Sequence, residues 1–458
     1  MAQTFLREPR KAMPPLQLFH FGPVVENKAW DAAETLPRPQ MESLQLARIK
    51  ETIERVENVP FYKAAFAKER ITPEMVRSLE DLRRLPITDK NDLRERYPLG
   101  FLAVPREKVA RIHASSGITG KPTFVAYTRD DLKTWADLCA RFLTAGGLRP
   151  EHTVHVAFNY GLFTGGFGLH YGIERVGAAI VPVSSGNSER QIALLKDLKT
   201  DALVCTPSYA FHLGKIARDM GLAPGDLALQ FAYLGGEPWT EEMRKAIEQL
   251  LGLHAFNNYG LSEVIGPGIS GECCMKSGMH IQEDHFIVEC LNPDTLEPVK
   301  EGEQGEMVFT SLTKQAMPII RYRTHDISTL LTAPCPCGRT SVRMGRVVGR
   351  TDDMLIVRGV KVFPSQIEKA LLRIEEIAPH FQIEVTRPQD LDEVTVRVEM
   401  HPKVFSDMMI KMHALRERIA REIKNVINIR VNVELADPNT LERFQGKVRR
   451  VLDKRNKA

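Results

Sequence analysis

From residue 152 to 258 short apolar runs alternate with amphipathic stretches. The runs are Val154 to Phe158, Ala178 to Val183, Ala202 to Cys205, Phe231 to Leu234 and His254 to Asn257, and segments such as Ser188 to Leu198 and Thr240 to Leu251 lie between them. A strand buried on both faces reads as a continuous apolar run, whereas a helix covering it repeats its apolar positions at helical spacing. The alternation predicts strand–helix–strand crossovers and a substantially parallel sheet, with any site at the carboxyl ends of the strands. Upstream, Leu44, Leu46, Ile49, Ile53 and Val56 recur near helical spacing and predict a first helix over Met41 to Val56.

Past about residue 290 the pattern turns to strands with turn signals, as in Glu301 to Thr310. After Gly349 a smaller unit begins. It holds a Pro-initiated helix from Pro364, an alternating run Glu393 to Glu399, a charged amphipathic helix from about Ser406 to Val426, and a strand near Asn428 to Leu435. The expected class is α/β. Residues 1–40, with six prolines, form an extended arm; 41–349 form a large domain of mainly parallel sheets flanked by helices; 350–458 form a small α+β C-terminal domain.

With 458 residues, 43% of them hydrophobic and 26% charged, the chain has the composition of a soluble globular enzyme of two or more domains. The net charge of +4 is too small to argue for a nucleic-acid or membrane partner. No run of about 18 apolar residues is present, and Met1 to Val25 lacks an apolar signal core, so cytoplasmic residence is expected. Seven cysteines in a chain of this length do not suggest a disulfide framework.

The first chemistry-bearing segment is Ser115-Ser-Gly-Ile-Thr-Gly-Lys-Pro122. Gly117 and Gly120 let the backbone approach phosphate closely, Ser115, Ser116 and Thr119 add hydroxyls, and Lys121 adds a compact charge. An ordinary surface turn has the same residue types, and the spacing is neither that of a P-loop nor that of a dinucleotide fingerprint. Four further segments supply what an ATP site needs. Gly235-Gly236-Glu237-Pro238 follows one predicted strand, and Asn258-Tyr259-Gly260-Leu261-Ser262-Glu263 follows the next. Then come Tyr322 to Asp326 and Gly349 to Asp353, and Gln445-Gly446-Lys447-Val448-Arg449 stands near the end. Tyr259 offers a flat face for a purine, Glu263 a hard oxygen ligand for magnesium, and Asp326 an acceptor for ribose hydroxyls. Taken singly, Tyr259 also fits a core position, Asp326 a helix cap, and Lys447 a solvated basic tail.

Together these segments resemble the adenylate-forming superfamily of acyl-CoA synthetases, luciferases and peptide-synthetase adenylation domains. Within it, Pro60-Phe-Tyr62, Ile112 to Gly117, Tyr160 to Gly166, Arg321 to Thr324 and Gly359 to Glu368 resemble the phenylacetate-CoA ligase family from about residue 35 onward. The resemblance implies a phosphate loop at Ser115 to Lys121, an adenine-side segment at Gly236 and Glu237, and an adenine and magnesium segment from Tyr259 through Gly260 and Ser262 to Glu263. It further implies ribose contacts at Asp326 and Arg350, a hinge at Asp352 about which a mobile small domain turns, and an adenylating lysine at Lys447. The implied reaction uses ATP, magnesium and coenzyme A to convert an aryl acid, phenylacetate foremost, to its CoA thioester through an acyl-adenylate. Other aryl acids, such as benzoate, hydroxyphenylacetate or indoleacetate, and loading of a carrier protein, are the alternatives. Tyr160, Phe163, Gly236 and Pro267 are expected to line the acid pocket, with core packing the alternative for the two aromatics. A homodimer is suggested by the resemblance alone.

Cys335-Pro-Cys337 offers two thiolates in a tight pair, and Cys273, Cys274 and His280 complete enough S and N ligands for a closed, structural zinc site. The family match favours Cys273 over Cys274. Free thiols and a hydrogen-bonded histidine are the alternative. The chain departs from the family pattern at Ile118 and Ser262, each where threonine is usual, and at His325, where Gly or Arg is commoner.

Overall fold

In the computed structural model the described residues are 29–115, 122–352, 354–357, 360–374, 376–388, 392–400, 409–438, 440–441 and 450–455. The predicted parallel strands are present. Ala179–Val181, Thr153–Val156, Ala202–Cys205, Phe231–Gly235 and His254–Leu261 lie side by side in that spatial order, every pairing parallel. Helices Thr164–Val176, Ser188–Asp197, Pro207–Asp219 and Glu241–Leu251 make the crossovers. Their starts follow local chemistry: Thr206 and Thr240 accept from the backbone N–H of Tyr209 and Met243, and Pro207 takes the first helical position.

The sheet then changes character. Gly266–Glu272, Met279–Ile281, Arg343–Met344 and Leu330–Leu331 extend it antiparallel to nine strands. A second, wholly antiparallel sheet of four strands runs Phe286–Leu291, Gly305–Ser311, Tyr322–Ser328 and Gly349–Arg350. The large sheets are therefore mixed, with parallel pairing confined to the stretch where crossover helices separate the strands. The links from Leu261 to Gly266 and from Glu272 to Met279 are too short for a crossover, so those two pairs can only be antiparallel.

Helix Arg129–Ala145 wedges these layers together. Thr128 and Asp131 form its capping box, and Trp135, Leu138, Cys139 and Phe142 present one buried stripe at helical spacing. Trp135 stacks on Tyr127 with centroids 5.0 Å apart, and its Nε1 donates to the Pro267 carbonyl at 2.8 Å. The predicted first helix is observed as Arg38–Val56. The segment before it is fastened at Glu34, a buried carboxylate that accepts from Arg339 Nε.

From Leu355 onward a separate hydrophobic cluster forms, built from Ile367, Ile383, Val396, Val398, Ile419 and Ile423 among others. Its sheet joins Asn432–Ala436, Glu393–Met400, Ile377–Thr386 and Val451–Asp453. Helices Pro364–Leu371 and Met409–Ile427 complete this unit. Among the described residues no helix is long and apolar enough to cross a membrane.

Candidate active site

The segment from Asn258 to Glu263 begins on a strand, because His254–Leu261 runs past the apolar stretch through Tyr259. Tyr259 is 9% exposed, and its ring stacks on Phe309 at 5.9 Å between centroids. Its hydroxyl donates to Asp326 Oδ2 at 2.6 Å. Burial first, and the Asp326 charge second, push the phenol well above its ordinary pKa, so it remains a donor at neutral pH. Arg350 lies opposite Asp326 across an antiparallel pair and donates from Nη1 to Asp326 Oδ1 at 2.9 Å. The same guanidinium grips Asp352, Nε to Oδ1 at 2.8 Å and Nη2 to Oδ2 at 2.9 Å. Each oxygen of Asp326 thus holds one donor and keeps a further lone-pair site.

Glu263 is buried, with Lys90 Nζ 3.6 Å from its Oε1. Lys90 opens the helix Lys90–Glu95, capped by Asp89, and the residue before the cap is stitched to the strand of Asp326. Thr88 N donates to the Arg321 carbonyl at 3.1 Å, and Arg323 N donates to the Thr88 carbonyl at 2.8 Å. Ser262 Oγ lies 2.9 Å from Thr164 Oγ1, at the start of the helix that follows Phe163. Nearby, Lys314 is almost fully buried with its ammonium 4.4 Å over the Tyr127 ring. Its Nζ has no hydrogen-bond partner among the described residues, and burial pushes its pKa down to about 8 against the pull of Asp131 and Glu263.

The strands Arg111–Ala114 and Phe124–Tyr127 form a hairpin, and Ser115 N donates to the Thr123 carbonyl at 2.9 Å. The Ser115–Lys121 segment therefore starts at a hairpin tip. Ser116, Gly117, Thr119, Gly120, Lys121, Gly359 and Lys447 lie outside the described residues. Gly236, exposed and at φ +86°, follows the carboxyl end of Phe231–Gly235. Glu237 Oε1 accepts from Ser208 N at 2.6 Å, in the first turn of helix Pro207–Asp219. Burial raises the Glu237 carboxyl above its usual range, while Arg450 of the small unit draws it down.

Tyr160 and Phe163 flank the start of helix Thr164–Val176, both half-buried. The Tyr160 ring meets Phe167 edge-on at 5.3 Å, and its hydroxyl lies 3.1 Å from His170 Nδ1. Pro267 is buried beside the second turn of that helix. A Cβ on Gly168 would stand 2.4 Å from Trp135 and 2.7 Å from the Pro267 ring.

A second cluster lies apart from these residues. One ligand atom each from Cys273, His280, Cys335 and Cys337 falls within 4.8 Å of all the others. Cys273 Sγ and Cys335 Sγ are 3.8 Å apart, Cys337 Sγ and His280 Nε2 are 3.4 Å apart, and His280 Nδ1 lies 3.0 Å from Ser341 Oγ. Cys274, the neighbouring thiol, is not in this group.

Lys90, Lys314 and Thr164 are the site residues that pattern alone did not single out. Lys90 stands 173 positions from Glu263 in a helix start that looks ordinary, and only the stitching of Thr88 brings it there. Lys314 sits in a polar stretch whose burial the sequence does not announce.

The AMP-binding enzyme family model matches residues 42–314, and that of the AMP-binding enzyme C-terminal domain matches residues 359–455. A phenylacetate-coenzyme A ligase of Thermus thermophilus is 50% identical over 437 residues, 92% of this chain and 98% of that protein. Among solved structures, 2-hydroxyisobutyryl-CoA ligase in the postadenylation state with 2-HIB-AMP is 30% identical with a TM-score of 0.85, covering 92% of this chain and 91% of that one. The same enzyme with 2-HIB-AMP and CoA in the thioesterification state gives 0.68, at 30% identity and over 93% and 92% of the two chains. The chain belongs to the AMP-binding enzymes, and among them to the phenylacetate-coenzyme A ligase family.

Proposed function

We propose that this protein ligates phenylacetate to coenzyme A through phenylacetyl-adenylate, yielding phenylacetyl-CoA, AMP and pyrophosphate. The observation that carries the reading is the 50% identity, sustained over 92% of the chain, to a phenylacetate-coenzyme A ligase. The chemistry of the site agrees with it. Tyr259 borders the adenine, and the remaining lone pairs of Asp326 accept the ribose hydroxyls, with Arg350 fixing the carboxylate. The carboxylate of the acid attacks the α-phosphorus, pyrophosphate leaves, and Lys447 donates to the oxygens on which charge builds. Glu263, with Lys90 Nζ 3.6 Å from its Oε1, is the residue that would hold magnesium, which would supply charge neutralisation at the phosphates.

Residues 350–458 then turn about Asp352, withdrawing Lys447 and admitting the CoA thiol, which attacks the mixed anhydride and expels AMP. The higher TM-score to the postadenylation state supports an orientation of the two units suited to the first half-reaction. Tyr160, Phe163, Gly236 and Pro267 are assigned to the acid pocket. A panel of phenylacetate, benzoate, indoleacetate and short fatty acids tests the substrate: phenylacetate is expected to give the highest kcat/KM, and a fatty acid in that place would refute it. Adenylate formation without free thioester would point to a carrier protein instead.

The Cys273, His280, Cys335 and Cys337 cluster fits a structural zinc. A tetrahedral ion with Zn–S near 2.3 Å and Zn–N near 2.0 Å sets S···S edges of about 3.8 Å and S···N edges of about 3.5 Å, against 3.8 and 3.4 Å here. Ser341 on His280 Nδ1 would fix the tautomer that presents Nε2. We assign the reaction to the cytoplasm, where ATP and CoA are at hand. The proposed homodimer rests on family resemblance and is measured by light scattering.

A further inference from the structure

A buried glutamine holds the loop between strand Ala179–Val181 and helix Ser188–Asp197. Gln191, near the start of that helix and 1% exposed, donates from Nε2 to the Ser184 carbonyl at 3.0 Å and to the Gly186 carbonyl at 2.8 Å. Its Oε1 lies 2.9 Å from Nε2 of His155, a fully buried residue of strand Thr153–Val156. Both amide protons go to the loop, so Oε1 is the acceptor and the imidazole, kept neutral by burial, carries its proton on Nε2. His155 Nδ1 is then a buried lone pair with no partner among the described residues. Polar groups this deep cost free energy that apolar ones would not, and what they secure is the course of the loop.

That course is strained. Ser184, Gly186 and Asn187 have φ of +67°, +98° and +43°, and only one of the three is glycine. Backbone of this kind persists where its surroundings over-determine it, and it gathers at ligand sites. The loop also stands at the carboxyl end of the parallel strands, where such sheets bind ligands; Ser184 N donates to the Val156 carbonyl at 3.1 Å. Hydrogen bonds join it to both assigned walls of the acid pocket. Ser184 Oγ, at 3.2 Å, and Ser185 Oγ both donate to Asn159 Oδ1, on the residue before Tyr160. On the other side Tyr209 Oη donates to the Gly186 carbonyl at 3.4 Å, and the neighbouring Ser208 N donates to Glu237, the residue after Gly236. Ser185, Gly186 and Asn187 are exposed, so the hydrogen bonds from below fix this edge.

We infer that residues 184–187 form the rim of the acid pocket between Tyr160 and Gly236, and that Gln191 is the positioning residue that sets how large an acid the rim admits. Gln191 touches no substrate; it acts through the two carbonyls it holds. With the rim fixed, a single ring on an acetate arm is matched and a larger fused ring is turned away. The inference rests on the assignment of Tyr160 and Gly236 to the acid pocket.

The test uses the full-length enzyme with MgATP and CoA, and compares phenylacetate with indoleacetate. Gln191→Met keeps the length of the side chain and removes both donors. It is expected to raise the KM for phenylacetate by about tenfold and to cut the preference for phenylacetate over indoleacetate by about tenfold, the scale on which a pocket misfit of one methylene is felt. The kcat and the KM for ATP should stay within about twofold, because only binding of the acid is loosened. A role in folding alone would lower the melting temperature and leave the preference between acids where it was. That result, or an equal rise in the KM for phenylacetate and the KM for ATP, would overturn the inference. Should Gln191→Met fail to fold, the double variant Ser184→Ala and Ser185→Ala, which leaves the core untouched, is expected to shift the preference the same way; an unchanged preference there would overturn the inference. Tyr160→Ala separates the two assignments. If it raises the KM for phenylacetate and Gln191→Met does not, the positioning role fails by itself; if neither raises it, the acid-pocket assignment fails and the inference with it.

Discussion

Arg350 donates to Asp326 Oδ1 at 2.9 Å from directly across an antiparallel pair, while its other nitrogens hold both oxygens of Asp352. The proposed ribose carboxylate and the proposed hinge are thus joined by one side chain. Arg350→Met removes charge-assisted bonds worth about 1.5–3 kcal/mol each, and the KM for ATP is expected to rise by about tenfold or more. Tyr259→Phe, which removes a single donor from Asp326, is expected to raise it less. Steady-state kinetics at saturating phenylacetate and CoA check the order.

Gly260 is the tightest backbone position in the site. A Cβ there would stand 2.0 Å from the Gly266 carbonyl oxygen and 2.7 Å from the Pro267 Cα, and backbone atoms leave nothing flexible to yield. Gly260→Ala is expected to destabilise the protein by about 1–3 kcal/mol or more. At Gly236 a Cβ would meet nothing closer than 3.7 Å, so Gly236→Ala meets only the penalty of φ +86°, about 1–2 kcal/mol. Urea denaturation of the two variants measures the difference.

For the metal cluster, protein purified without chelator is expected to hold one zinc per chain by elemental analysis. Cys335→Ser or Cys337→Ser should lose it, and Cys274→Ser should keep it, since Cys274 is outside the four-residue group. Chelation is expected to lower the melting temperature without a change in KM for ATP, because the four-residue group includes none of the proposed nucleotide contacts.

Lys314 gives a pH signature. Its pKa is about 8 in the folded protein against 10.5 for an exposed lysine. Between those values the unfolded chain binds more protons, so this group adds stability as pH rises through the window and weakens the fold below it. Lys314→Met is expected to melt higher than the parent at pH 7, by about 3 kcal/mol at most. The gap should shrink toward zero by about pH 10.5. Paired melting curves at pH 7, 9 and 10.5 test this, and a constant gap would contradict it.

Much of this architecture is legible in the chain because burial writes itself into apolar runs. Val154 to Phe158, Ala202 to Cys205 and Phe231 to Leu234 are apolar runs, and they supply the parallel strands Thr153–Val156, Ala202–Cys205 and Phe231–Gly235. The switch to antiparallel pairing at Gly266–Glu272 is less visible, because glycines and serine stand where strands usually carry large side chains. Those glycines make room for helix Arg129–Ala145: a Cβ on Gly266 would be 2.4 Å from Trp135, and one on Gly271 2.5 Å from Phe142. The proposed nucleotide contacts Tyr259 and Asp326 stand in local motifs that mark them out in the sequence, and the structure joins the two by a hydrogen bond. The approach of Lys90 to Glu263 is not legible, since it joins positions far apart in the chain that no local spacing encodes.

The overall conversion is measured directly by one product analysis. Purified enzyme is mixed with MgATP, phenylacetate and CoA, and nucleotides and thioester are resolved together. AMP, pyrophosphate and phenylacetyl-CoA are expected in equal amounts, with omission of CoA halting turnover at enzyme-bound phenylacetyl-adenylate. Formation of ADP and phosphate, or AMP release with no phenylacetyl-CoA, would rule out AMP-forming ligation of phenylacetate to CoA.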